Sequence, residues 1–130
     1  MSNDEEWMRI AIEEANLAMD KNEVPVGAVL VKNDTLIAQA HNKPITKNDP
    51  TAHAEIQLLR KAGEQQKNYR LPESTLYVTL EPCTMCFGAM VHARIDRIVY
   101  GASDPKTGVC GSRMNLNCLL YTSPSPRDPE

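Results

Sequence analysis

Trp7, Met8, Ala11, Ile12, Ala15, Ala18 and Met19 recur at three- and four-residue spacing, while Glu6, Arg9, Glu13, Asn16 and Asp20 take the other side. This is a helical period, and it predicts an amphipathic helix over residues 4–21 that packs one face on the rest of the chain. The run VGAVLVKNDTLIAQAHN then turns to aliphatic and β-branched residues on both sides of Asn33-Asp34. It reads as a hairpin of two strands, 26–32 and 35–41. NKPITKNDP is a loop by its two prolines and polar content. Asp49 is placed to cap a helix whose first position is Pro50, and Gly63 to end it, which gives a helix over 51–62. STLYVTL, 74–80, is a near-continuous buried strand. Pro82 opens another helix through about residue 93, and the strand RIVYGA and a glycine-punctuated loop through 111 follow it. The order α-β-β-α-β-α-β predicts an α/β fold with a mixed central sheet and helices on its faces. In such a fold the N-terminal ends of two helices converge beside strand ends.

The last thirteen residues break this logic. CLLYTSPSPRDPE, 118–130, has prolines at 124, 126 and 129 and no period of either kind. By composition alone it is a proline-rich disordered terminus. From Cys118 to Asp128 it also resembles, residue for residue, one reading frame of a transposase sequencing adapter. The expectation is a single domain over 1–117 followed by a non-native, disordered tail, with the natural C-terminal segment missing.

Length and composition narrow the class. At 130 residues the chain is one domain's worth, and 42% hydrophobic with 24% charged residues is ordinary globular usage. A net charge of −3 argues against a non-specific nucleic-acid binder but leaves room for a local basic patch. The longest apolar stretch, 24–31, is interrupted by Pro25 and Gly27 and is too short to span a bilayer. The N-terminus is acidic where a signal peptide would be basic. A cytoplasmic protein is expected, in which a close cysteine pair is a metal or redox site before it is a disulfide.

EPCTMC, 81–86, supplies such a pair. Cys83 and Cys86 stand three apart at a helix start, on one face, where the helix dipole favours thiolates. A pair of small buried cysteines is an equal reading of a lone C-x-x-C. TAHAEI adds His53 at the start of the other helix and Glu55 two positions on. Positions i and i+2 diverge on a regular helix, so both can face one metal only at the helix end. A His-Cys-Cys set leaves a zinc coordination position open, as in catalytic rather than structural sites, and Glu55 is then the base for a zinc-activated water. Glu13, Glu14 and Glu64 read as solvated helix faces. His41 and His92 belong to no ligand pair, and Cys110 reads as a buried or loop thiol.

HAE combined with PCTMC resembles the signature of the zinc-dependent nucleobase and nucleoside deaminases. EVPVGAVLV, DPTAHAEI, LYVTLEPCTMC with Gly88-Ala89-Met90 after it, and YGASDPKTGVCGS extend the likeness to the bacterial tRNA-specific adenosine deaminases over residues 5–116. The resemblance implies a three-layer, cytidine-deaminase-like fold that binds one Zn2+ per subunit through His53, Cys83 and Cys86. Glu55 would shuttle protons while adenine is hydrolysed at C6 to leave inosine. It further implies Asn42 as a contact to the base, Pro25 and Val26 as pocket wall and the Ala54 amide near the reacting centre. Asp104 and Lys106 would lie near the flanking nucleotides. The partner implied is a tRNA anticodon stem-loop, read at the wobble position of an arginine tRNA by a homodimer. The family's last strand and C-terminal helices should begin where the aberrant tail starts, so their absence would leave a sheet edge exposed. Two other readings stay open: a deaminase of free guanine, cytosine or a nucleoside, and a zinc-stabilised binding module without chemistry, which needs a fourth protein ligand.

Overall fold

The computed structural model describes residues 3–102. Asp104, Lys106, Cys110 and the 118–130 segment lie outside the described residues. Eight elements follow in order: α1 (Asp4–Asp20), β1 (Gly27–Lys32), β2 (Thr35–His41), α2 (Pro44–Lys47), α3 (Ala54–Gln66), β3 (Ser74–Leu80), α4 (Thr84–Ala93) and β4 (Arg97–Ala102). The strands form one mixed sheet in the order β2-β1-β3-β4, antiparallel except for the β3–β4 pair.

Alternation along β1 sets the layers. Ala28 and Leu30 face a core shared with Ala40, Leu58, Leu76, Val78, Cys86 and Met90, under α3 and α4. Val29 and Val31 face Ala11 and Tyr77 with Trp7 and Met8, under α1. With both faces covered, β1 reads as an unbroken apolar run. The hairpin turns on Asn33 and Asp34, both with positive φ (53° and 58°), the conformation of a two-residue type I′ turn.

Three sequence expectations change. α2 occupies a stretch read as loop: Pro44 takes its first position, and Asn48, in the left-handed region, ends it. α3 begins at Ala54, because the Asp49 carboxylate is spent on Thr51, accepting from its amide at 2.9 Å and its hydroxyl at 2.7 Å in a local turn. It runs through Gly63 and stops at Lys67, a left-handed C-cap. On α1 the buried face is Ala11, Glu14, Ala15 and Ala18, whereas Ile12 and Met19 are half exposed. Glu14 is therefore not on a solvated face. The helix lies so close to the sheet that a Cβ on Gly27 would fall 2.0 Å from the Ala11 carbonyl oxygen and 2.8 Å from the Glu14 Cβ.

β2 and β3 both run opposite to β1, so their C-terminal ends lie at one end of the sheet, where β1 also enters. α3 and α4 follow those two strands, and their N-termini are thereby brought to the same end. Among the described residues no helix is long and apolar enough to cross a membrane.

Candidate metal centre

His53 and Cys83 are the residues immediately before the first turns of α3 and α4, each with extended backbone. Cys86 follows one turn into α4, fully buried. The His53 Nδ1 stands 3.7 Å from the Cys83 Sγ and 3.5 Å from the Cys86 Sγ, and the three donor atoms lie within 4.8 Å of one another. Donors bound to zinc at about 2.0–2.3 Å in a tetrahedron stand about 3.6 Å apart, so the spacing and the soft donor set both fit that ion. The two cysteines are free thiols rather than a disulfide.

The histidine's position outside the helix resolves the i, i+2 problem. His53 departs from the helical path, and Glu55, inside the first turn, reaches the same place. Glu55 is 4% exposed and lies close enough to Cys83, Cys86 and His53 for each to act on its carboxyl. Burial, reinforced by the Cys83 sulfur and only partly offset by its own backbone N–H and by His53, pushes its carboxyl up to about 7. The Cys83 thiol is lowered to about 5: the hydrogen bond from Cys86 outweighs burial, and the helix amides of Cys86 and Met85 and the His53 ring add to it. Cys86 is pushed upward by Cys83, by burial and by Glu55. The cluster thus unites two sulfurs, a buried carboxyl whose pKa is raised toward neutrality and a ring nitrogen at two positive helix ends.

Asn42 follows β2 directly and is buried; its Oδ1 accepts the Ala54 amide at 2.8 Å, and its own amide donates to the Val26 carbonyl at 3.1 Å. Pro25 is exposed and Val26 buried at the mouth of β1. Asn42, Val26, Ala54 and the ligand cluster therefore meet at one end of the sheet. Sequence reasoning missed Glu14, His41 and Glu23, three buried polar residues beside this end. No local motif announces them, since their partners lie 22 to 27 residues away.

Residues 1–102 match the family model described as the cytidine and deoxycytidylate deaminase zinc-binding region. A tRNA-specific adenosine deaminase from Haemophilus influenzae is 56% identical over 114 residues, which cover 87% of this chain and 66% of the relative. This chain thus spans about two thirds of the length of that relative. A structure from studies of A-to-I editing by tRNA:A34 deaminases at the wobble position of transfer RNA superposes with a TM-score of 0.83 at 45% identity, covering 96% of this chain and 92% of the other. Guanine deaminase from Bacillus subtilis superposes with a TM-score of 0.77 at 32% identity, covering 96% and 79% respectively.

Proposed function

Because the chain belongs to the zinc-binding cytidine and deoxycytidylate deaminase family, we propose that it hydrolytically deaminates adenosine in tRNA, with His53, Cys83 and Cys86 holding one Zn2+. The observation that carries the chemistry is the buried carboxyl of Glu55 beside three converging metal donors. Bound there, zinc supplies the Lewis acidity that brings the deprotonation of a water molecule close to neutral pH. Glu55 takes up that proton and delivers it to the departing amine, so that adenosine and water give inosine and ammonia. Three donors converge among the described residues, which favours an open site over a closed structural one.

Asn42 spends its Oδ1 on the Ala54 amide and keeps Nδ2 as the group for the base. Pro25 and Val26 wall the pocket, and Asp104 and Lys106 serve the flanking nucleotides. The substrate is the wobble adenosine of an arginine tRNA, taken in the cytoplasm by a homodimer. Similarity to the tRNA:A34 enzymes supports this, as does the low cost of reaching an unstacked anticodon base. A local basic patch supports it too. Lys43 beside Asn42 has Lys61, Lys21 and Lys47 as charged neighbours, and burial together with these like charges, only partly offset by the Glu14 carboxylate, holds its ammonium below the ordinary value.

The likeness to guanine deaminase favours one competing reading, a free-base substrate. The zinc-loaded chain is incubated with an arginine-tRNA anticodon stem-loop and, separately, with adenosine, guanine and cytosine, and inosine and ammonia are followed. Inosine at the wobble position is expected. Turnover of a free base with the stem-loop untouched moves the substrate to the small-molecule branch. Silence from a folded, zinc-loaded chain overturns the enzyme reading.

A further inference from the structure

Glu14 lies in the third turn of α1, 6% exposed, and its carboxylate crosses to the end of β2. Oε2 accepts from the Gln39 side-chain amide at 2.6 Å, and Oε1 lies 2.7 Å from the His41 Nδ1. Burial pushes the Glu14 carboxyl up, but the Gln39 and His41 hydrogen bonds and the His41 and Lys61 charges outweigh it and hold the group below its ordinary value. The carboxylate needs a donor, so Nδ1 carries the proton. The reach depends on Gly27, where the absence of a Cβ lets α1 settle on β1.

A second carboxylate from the same part of the chain grips the next few residues. Glu23, buried in the turn after α1, accepts the Ile45 amide at 3.2 Å, the Thr46 amide at 2.6 Å and the Thr46 hydroxyl at 2.7 Å. Asn42 stands between the two anchors, next in the chain to His41. Its Oδ1 in turn holds the amide of Ala54, the residue between His53 and Glu55. A continuous path therefore runs from the Glu14 carboxylate through His41 and Asn42 to the residues that flank the metal.

A buried polar pair of this kind is weak evidence of stabilisation, because apolar packing of equal volume does as well or better; its best-attested use is to fix one arrangement over others. His41 is itself 6% exposed, and its Nε2 has no hydrogen-bond partner among the described residues. We infer that Glu14 and His41 are positioning residues for the reaction: their hydrogen bond fixes the end of β2, so that Asn42 is held on the Ala54 amide beside His53 and Glu55. The inference rests on the deaminase reading for its catalytic consequence, but not for the coupling of Glu14 to Ala54.

The test is a double-mutant cycle on the zinc-loaded full chain with Glu14→Ala, Asn42→Ala and both, and with Glu14→Gln as the conservative variant. Three quantities are read: zinc content, kcat and KM on the anticodon stem-loop, and hydrogen exchange at the Ala54 amide. Ala54 opens α3, so its amide has no partner inside the helix and reports the Asn42 bond. Glu14→Ala is expected to keep zinc, to lose about tenfold or more in kcat with KM changed less, and to lose Ala54 protection. The double variant is expected to be no slower than Asn42→Ala alone. Glu14→Gln, which keeps an acceptor for His41, is expected to retain most of the protection and rate. Additive losses in kcat, or unchanged Ala54 protection in Glu14→Ala, overturn the proposal. Loss of zinc or of folding in both Glu14 variants overturns it as well, in favour of a purely structural pair. If Ala54 protection falls as expected while the parent chain deaminates nothing, the coupling stands and the deaminase reading fails.

Discussion

His53 and Cys83 occupy the same place in two different helices: each precedes a first turn in extended backbone (φ −68°, ψ 157° and φ −85°, ψ 177°), and the Nδ1 of one lies 3.7 Å from the Sγ of the other. The metal centre is thus made by two helix starts meeting, with Cys86 added from one turn further on. Each ligand is fixed by backbone geometry rather than by a flexible loop. Replacing any one of the three leaves two donors, too few for a stable zinc site. Cys83→Ala, Cys86→Ala and His53→Ala should each fall from about one zinc per chain to below about 0.1 after dialysis. Metal analysis of the purified variants checks this, and full occupancy in any of them would remove that residue from the ligand set.

Glu55 makes a different prediction, because the role proposed for its buried carboxyl is proton transfer, not ligation. Glu55→Gln keeps the volume and abolishes the proton carrier. Zinc content should be unchanged while turnover falls by about 10²–10⁴. A variant that keeps its rate would show that the proton travels by another route.

Much of this was legible in the sequence, and the rest was hidden for definite reasons. α1 follows from its helical period, the four strands from their aliphatic and β-branched runs, and the hairpin from Asn33-Asp34, two residues tolerant of positive φ. The ligand set is legible because a metal site puts its chemistry into short motifs. The start of α3 was not, since Asp49 satisfies a local turn at Thr51 as well as it would cap a helix. Glu14 was misread because a charged residue on a helix is usually solvated; the donors that make its burial tolerable, Gln39 and His41, belong to another strand.

Gly27 should be the position most sensitive to a single added methyl group. A Cβ there meets the Ala11 carbonyl oxygen at 2.0 Å and the Ala15 amide nitrogen at 2.5 Å, and both are backbone atoms that move only with the helix. Gly27→Ala should cost about 1–3 kcal/mol or more, read as a lower urea midpoint. A stability equal to the parent's would mean that α1 does not lie this close to β1.

Acid should weaken the fold through Glu14 and Glu23. In each the carboxyl is raised by burial but lowered further by its hydrogen bonds, so the folded pKa lies below the ordinary 4.5. The unfolded chain then binds protons more readily than the folded one, and stability rises with pH in that range. Their contribution is complete above 4.5 and is lost as pH falls through the folded values beneath it. Glu23→Gln, which cannot ionise, should show a shallower fall in stability between about pH 5 and pH 3 than the parent. Unfolding curves across that range decide the matter, and parallel curves would mean that Glu23 is not ionised in the folded chain.

Salt should separate an RNA substrate from a free base. The chain carries a net charge of −3, so any attraction to phosphates must be local. Lys43, next to Asn42, has Lys61, Lys21 and Lys47 as electrostatic neighbours, together with the Glu14 carboxylate, whereas Lys32 ends β1 at the opposite end of the sheet. Each phosphate contact releases counterions and steepens the fall of log K with log salt by about 0.7–0.9. Lys43→Ala and Lys47→Ala should therefore weaken stem-loop binding and lower the slope by about 1 each, while Lys32→Ala leaves both unchanged. A free base carries no phosphate and should bind without such a slope. If stem-loop binding is insensitive to salt, or if Lys32→Ala lowers the slope as much as Lys43→Ala, the lysines beside Asn42 are not the phosphate contact and the RNA reading loses its physical support on this face of the molecule.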